Sequence, residues 1–249
     1  MKRFDELIAA LTLLTRLPVS ALVGNRRWPE EASTVWAYPL VGALVGSVGG
    51  AVLWAGEHSG VPPAVAAILA IATMLLLTGG LHEDGLADTA DAFGGGSTVP
   101  LKLDIMRDSR IGSYGALALI VAFGLRGAAL ASLPPEAGLT ALVAAGALGR
   151  GAIVIVLVLL RPARADSSTA ALRTMRPAVA FAALLIAAAI SSVLLVRVAL
   201  TCMAGATLAG LGATALARRQ VGGYTGDVLG AVVVIVDCSV LVLAASLQV

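Results

Sequence analysis

The stretch Met74-Leu75-Leu76-Leu77-Thr78-Gly79-Gly80-Leu81-His82-Glu83-Asp84-Gly85-Leu86-Ala87-Asp88-Thr89-Ala90-Asp91 decides the fold. Its first half closes an apolar run that begins at Pro62. That run is long enough to cross a bilayer, which takes roughly 20 apolar residues as a helix. Its second half places four carboxylates within nine residues, from Glu83 to Asp91. Carboxylates at the mouth of a membrane bundle need cations, and a ligand set made only of oxygens favours Mg²⁺ or a similar hard ion. The join therefore points to a membrane enzyme that handles phosphates, or to ion-coupled transport.

The rest of the chain agrees with a membrane setting. Of its 249 residues 59% are hydrophobic and only 13% charged, against about 25% charged in soluble domains. Glycine is abundant, at 28 residues, and aromatics make up only 4%; small residues let membrane helices approach closely. Gly42, Gly46 and Gly50 share one helix face and read as a packing stripe. A net charge of +2 without a basic, aromatic-laced run excludes nucleic acid as a partner. Cys202 and Cys238 sit inside apolar segments without metal-ligand spacing and read as small buried side chains. At the N-terminus Asp5, Glu6 and Arg16 are wrong for a signal peptide. Phe4, Leu7, Ile8, Leu11 and Leu14 recur at helical spacing, so residues 3–17 read as an amphipathic helix at the membrane interface.

Seven segments qualify as spans: 35–56, 62–81, 113–133, 137–160, 177–196, 199–217 and 228–247. The expected fold is all-α, a polytopic membrane bundle of about seven transmembrane helices plus the N-terminal amphipathic helix, with residues 1–249 as one domain. The basic residues test the layout. Lys2, Arg3, Arg16, Arg26 and Arg27 precede the first span; Lys102, Arg107 and Arg110 follow the second. Arg161, Arg164, Arg173 and Arg176 follow the fourth, and Arg218 and Arg219 the sixth. With seven spans these 14 of 17 basic residues share one face, which the positive-inside rule makes cytoplasmic. The N-terminus is then inside and the C-terminus outside. Arg126 and Arg150 fall within spans, as does Asp237. Charges at that depth pair with one another or serve a site, so Asp237 is either a site candidate or a partner for Arg126 or Arg150.

Asp84, Asp88 and Asp91 are spaced i, i+4, i+7 and share a helix face. Their mutual repulsion destabilises the helix by a few tenths of a kcal/mol per pair, and a divalent cation removes it. These three are the primary metal ligands; Glu83 lies off the face, and His82 is not needed as a base. Gly94-Gly95-Gly96 ends the helix. In the following segment Asp104 and Asp108 share a helix face, as do Arg107 and Arg110. The carboxylates suit additional metal ligation and the arginine forks suit phosphate oxygens, with Lys102 a further substrate-binding cation. Intrahelical pairing of the four charges is the structural alternative. In Gln220-Val221-Gly222-Gly223-Tyr224-Thr225-Gly226-Asp227, three glycines frame Tyr224 and Thr225 as substrate contacts, and Asp227 is a further metal or substrate ligand. All three polar segments fall on the cytoplasmic face. Paired carboxylates, nearby arginines and no Cys, Ser or Lys nucleophile together point to phosphoryl or phosphodiester transfer.

These segments, with Gly79-Gly80-Leu81-His82 before them and Leu14-Thr15-Arg16-Leu17-Pro18 near the N-terminus, resemble the cobalamin synthase family, the adenosylcobinamide-GDP ribazoletransferases. The resemblance covers nearly the whole chain. It implies a Mg²⁺-dependent enzyme of a bacterial cytoplasmic (inner) membrane with its site facing the cytoplasm. Its substrates would be adenosylcobinamide-GDP and α-ribazole or the 5′-phosphate, and its products GMP and adenosylcobalamin or its 5′-phosphate. On that reading Asp84, Asp88 and Asp91, with Asp104 or Asp108, hold one or two Mg²⁺ on the diphosphate. Arg107 and Arg110 bind its oxygens, and Asp91 or Asp88 does proton work. The chain departs from the family pattern in the seventh span, where Val234 and Asp237 stand in place of two acids three apart. Two alternatives stand beside this reading. One is another membrane phosphotransferase of the CDP-alcohol type, whose longer aspartate pattern is not matched. The other is a cation-coupled transporter, for which no internal repeat is visible. The glycine-rich first span suits packing within one chain or in a homo-oligomer.

Overall fold

The structure, a computed structural model, describes residues 2–22, 28–164 and 168–247. Arg26 and Arg27 lie outside the described residues. Helix α1 (Lys2–Leu14) is the amphipathic N-terminal helix. Buried Glu6 ties it down, pairing with Arg3 at 3.0 Å and accepting the indole N–H of Trp36 at 2.8 Å. The short α2 (Glu31–Thr34) leads into α3 (Tyr38–His58). Then come α4 (Pro63–Thr78), α5 (Leu81–Gly95), α6 (Val99–Ile105), α7 (Ser113–Ala131) and α8 (Pro135–Leu159). Three more long helices follow: α9 (Pro177–Leu195), α10 (Ala199–Val221) and α11 (Gly226–Ser246). No strand occurs among the described residues.

Six of the helices are long and apolar enough to cross a bilayer, and seven spans result if the bent pair α4–α5 counts as one. That pair corrects the expected second span. The apolar run does not continue straight into the acidic stretch, because the chain turns by 92° between α4 and α5. Gly79 and Gly80 make the turn at φ 68° and 69°, a left-handed conformation that costs glycine little and other residues more. At Gly79 a side chain would also strike Arg16.

Helices α8 and α11 form the buried centre. The glycine stripe of α3 lies against α8: a Cβ on Gly42 would collide with the Gly146 carbonyl, one on Gly46 with Leu142, and one on Gly50 with Leu139. Outward-facing Leu76, Ile120, Phe181, Val193, Leu200 and Leu208 are well exposed and form an apolar belt suited to lipid. The two ends of the bundle separate as the basic residues require. At one end His58 meets Glu136 at 3.5 Å, and Trp54 donates to Glu136 at 3.2 Å. At the other Lys102 donates to Gln220, and Arg164 donates to the Leu103 carbonyl at 2.8 Å. There too the Tyr224 N–H donates to the Arg161 carbonyl at 2.9 Å. The segments carrying most of the described basic residues therefore gather at one end.

Because the α3–α8 contact is backbone to backbone, Gly42→Val should destabilise the protein by about 3 kcal/mol or more. Gly124→Ala on α7, where a Cβ meets nothing within 4 Å, should be neutral or stabilise by up to about 1 kcal/mol. Thermal unfolding in detergent compares the two.

Candidate active site

Helix α5 carries the acidic motif and is held on three sides. Against α11, Gly85 packs on the backbone of Asp227 and Gly230 on the backbone of His82, with no room for a larger residue at Gly85. Against α7, Glu83 pairs with Arg126 at 2.9 Å. Below it Arg150 of α8 pairs with Asp237 of α11 at 3.3 Å and reaches Nδ1 of His82 at 3.4 Å. Arg126 and Arg150 are 4% and 3% exposed; charges buried that deeply persist only when paired. Asp237 is thus the partner of Arg150, as its depth in the sequence allowed.

The four acids of the motif divide. Glu83 is spent on Arg126. Asp91, expected as a metal ligand and base, has another task. Its two carboxylate oxygens accept the backbone N–H groups of Gly112 at 2.7 Å and Gly115 at 2.8 Å. It is buried and caps the N-terminus of α7, where Gly112 has no side chain to do so. An acid there satisfies orphan amides and meets the positive end of the helix dipole. The glycines are required, since a Cβ at either position would strike the carboxylate. Asp84 is exposed and Asp88 half-buried. Among the described residues neither has a salt-bridge or side-chain hydrogen-bond partner. Asp88 feels the negative charges of Asp84 and Asp227, so the three repel one another.

Asp84 and Asp88 line a cleft of about 430 Å³ with Arg16, Gly80, Ser109 and Ile111. Among the described residues no three His, Cys, Asp or Glu side chains converge to hold one ion. The expected three-aspartate cage is therefore not formed. Two unpaired carboxylates on an open cleft do fit Mg²⁺, which commonly binds through one or two carboxylates and completes its shell with water and substrate phosphates. Asp227 stands nearby, its carboxylate accepting the Thr225 hydroxyl at 3.1 Å.

Other expected site residues are placed differently. Helix α6 stops at Ile105, so Asp104 and Asp108 do not share a helix face, nor do Arg107 and Arg110. The Asp108 carboxylate accepts the Arg110 N–H at 3.1 Å, a local bond that competes with the helix. Its side-chain bond with the Arg110 guanidinium, at 2.6 Å, holds the Asp108 carboxyl down at about 2. Arg107, Arg110 and Asp104 do not line the cleft, and Lys102 is engaged by Gln220. Tyr224 is fully buried, its backbone bonded to Arg161 and Ala163, and so is a structural rather than a substrate residue. Thr225 caps α11 by accepting the Val228 N–H at 3.2 Å. Arg16, by contrast, lines the cleft although its position in the chain gave it no role; the only signal was the short Leu14–Pro18 motif.

If Asp91 braces α7, Asp91→Ala should lower stability by about 2–3 kcal/mol through its two charge-assisted bonds. Asp84→Ala, which removes an exposed side chain without a bonded partner among the described residues, should leave thermal unfolding within about 0.5 kcal/mol of the parent.

Comparison with known proteins follows the same lines. The family described as cobalamin-5-phosphate synthase matches residues 6–245. An adenosylcobinamide-GDP ribazoletransferase of Azorhizobium caulinodans is 44% identical over 90% of this chain and 89% of its own length. The protein of the same name from Bradyrhizobium diazoefficiens is 44% identical over 98% of this chain and 94% of its own. That from Leptothrix cholodnii is 42% identical over 89% and 88%. No solved structure matches. With its helical membrane architecture, its acidic helix and a match that runs almost end to end, the chain belongs to the cobalamin-5-phosphate synthase family.

Proposed function

We propose that this chain transfers the activated corrinoid phosphate of adenosylcobinamide-GDP to α-ribazole or α-ribazole 5′-phosphate. GMP leaves and adenosylcobalamin or its 5′-phosphate forms. The observation that carries the mechanism is the pair Asp84 and Asp88, left without partners on a cleft while Glu83, Asp91 and Asp237 are all engaged. Relatives named for this reaction support the substrates.

Asp84 and Asp88 would hold Mg²⁺, with water and substrate phosphates completing its shell. Bound there, the ion would neutralise charge on the substrate diphosphate and polarise the phosphorus. The protein supplies position. The 92° turn and the buried pairs hold α5 so that two carboxylates face the cleft. The ribazole hydroxyl attacks the phosphorus bonded to the corrinoid arm. The bond from that phosphorus to the GMP oxygen breaks, and GMP carries away the electron pair. Since both Asp91 oxygens are committed to amides, the hydroxyl proton passes to Asp88, one of the two motif acids left free. A site at the basic end of the bundle faces the cytoplasm.

Purified protein should release GMP from adenosylcobinamide-GDP only with ribazole and Mg²⁺ present, and chelation should stop it. Asp84→Ala and Asp88→Ala should each cut turnover by about 100-fold or more, the several kcal/mol a catalytic metal supplies. Parental turnover in both variants would refute the assignment. For orientation, an impermeant maleimide added to intact cells should label Ser59→Cys and spare Ser97→Cys. The native Cys202 and Cys238 are buried and give a quiet background.

A further inference from the structure

We propose that Arg16 binds the diphosphate of the nucleotide-activated substrate, which rests on the transferase reading above and adds the cation that reading lacks. A diphosphate brought to two aspartates and a divalent ion still carries charge and equatorial oxygens to be bound. The loop arginines are the obvious donors in the sequence, yet neither Arg107 nor Arg110 lines the cleft. Arg110 is bound to Asp108 through three hydrogen bonds from its guanidinium. Among the described residues that line the cleft, Arg16 is the one cation.

Its placement is built by the backbone. The chain after α1 crosses the break between α4 and α5, and the Arg16 N–H donates to the Leu77 carbonyl at 2.7 Å. That bond satisfies one of the carbonyls left open where α4 stops. The side chain then runs over Gly79, so closely that any Cβ there would strike it. The turn glycine thus serves two ends, the left-handed backbone and the passage of Arg16. Among the described residues no carboxylate pairs with the guanidinium, although Asp84 and Asp88 line the same cleft. A guanidinium kept unpaired beside unpaired carboxylates fits an anion bridged by a metal: the acids take the ion, and the planar fork takes phosphate oxygens. The capping bond uses the Arg16 backbone and the anion would use its side chain, so substitution separates the two roles.

The test uses the full chain in detergent, with Mg²⁺ and inorganic diphosphate as the probe. Binding is read as inhibition of GMP release and, independently, as a rise in Tm. Arg16→Gln keeps the backbone bond. It should weaken diphosphate inhibition and raise KM for adenosylcobinamide-GDP by about tenfold or more, the loss of a charge-assisted contact. KM for ribazole and the Tm without ligand should stay at parental values. Arg16→Lys, which keeps charge without the fork, should fall between. Parental inhibition by diphosphate in Arg16→Gln overturns the proposal. So does a variant that loses Tm and kcat together with unchanged inhibition, since that marks a purely structural residue. Should Arg16→Gln fail to fold, Arg16→Lys decides alone: parental diphosphate inhibition there overturns the proposal, and a severalfold weakening upholds it. A parent protein that releases no GMP would refute the transferase reading, while the diphosphate-induced Tm shift would still report on Arg16.

Discussion

The structure depends on the rule that an acid withdrawn from water must find a cation or a donor. Glu83 on Arg126 and Asp237 on Arg150 obey it at depth, in a region where an unpaired charge would be prohibitive. Each pair also joins two helices: α5 to α7, and α8 to α11. Because His82 meets Arg150 and lies against Gly230, the start of α5 is clamped to both pairs. A fifteen-residue helix set at 92° to its predecessor would have little hold of its own. These contacts fix it where its remaining acids face open space.

That arrangement gives the acidic motif its division of labour. A helix with four acids in nine residues repels itself. Three different solutions are applied along it: Glu83 is paired, Asp91 is consumed as a cap 21 residues away in the chain, and Asp84 with Asp88 are left open to the cleft. The repulsion that remains in the folded protein is confined to the open cleft, where Asp88 still feels the charges of Asp84 and Asp227. The fold tolerates the unpaired aspartates because they line an open cleft that water reaches.

Much of this was legible in the chain. Apolar runs bounded by proline located the long helices, since bilayer thickness sets their length. The Gly42–Gly50 stripe announced a close helix contact, and the depth of Asp237 left a pair with Arg126 or Arg150 among its alternatives, of which the structure takes Arg150. What sequence reasoning missed has a common cause: it lies in direction rather than in composition. Hydropathy along residues 62–81 counts apolar residues and cannot register that Gly79 and Gly80 both adopt positive φ and turn the chain aside. The periodicity of Asp84, Asp88 and Asp91 is helical and correct, yet it does not reveal that α7 begins beside Asp91 and claims its oxygens. Tyr224 looked like a loop residue offered to substrate and is instead the buried filling beneath that loop.

The same reasoning explains why the site draws on the N-terminal segment. A broken span leaves carbonyls open at the end of α4, and inside a bundle they must be satisfied by neighbouring chain or by water. The segment after α1 supplies an N–H at Leu77, and the residue that supplies it is an arginine. The break that aims α5 at the cleft is thus what brings a cation to the cleft's edge. Glycine at residue 79 permits both, through its positive φ and its missing Cβ. Acid face, turn and arginine meet at one cleft because of one discontinuity in a membrane helix, and they would not meet if the apolar run passed straight through the bilayer.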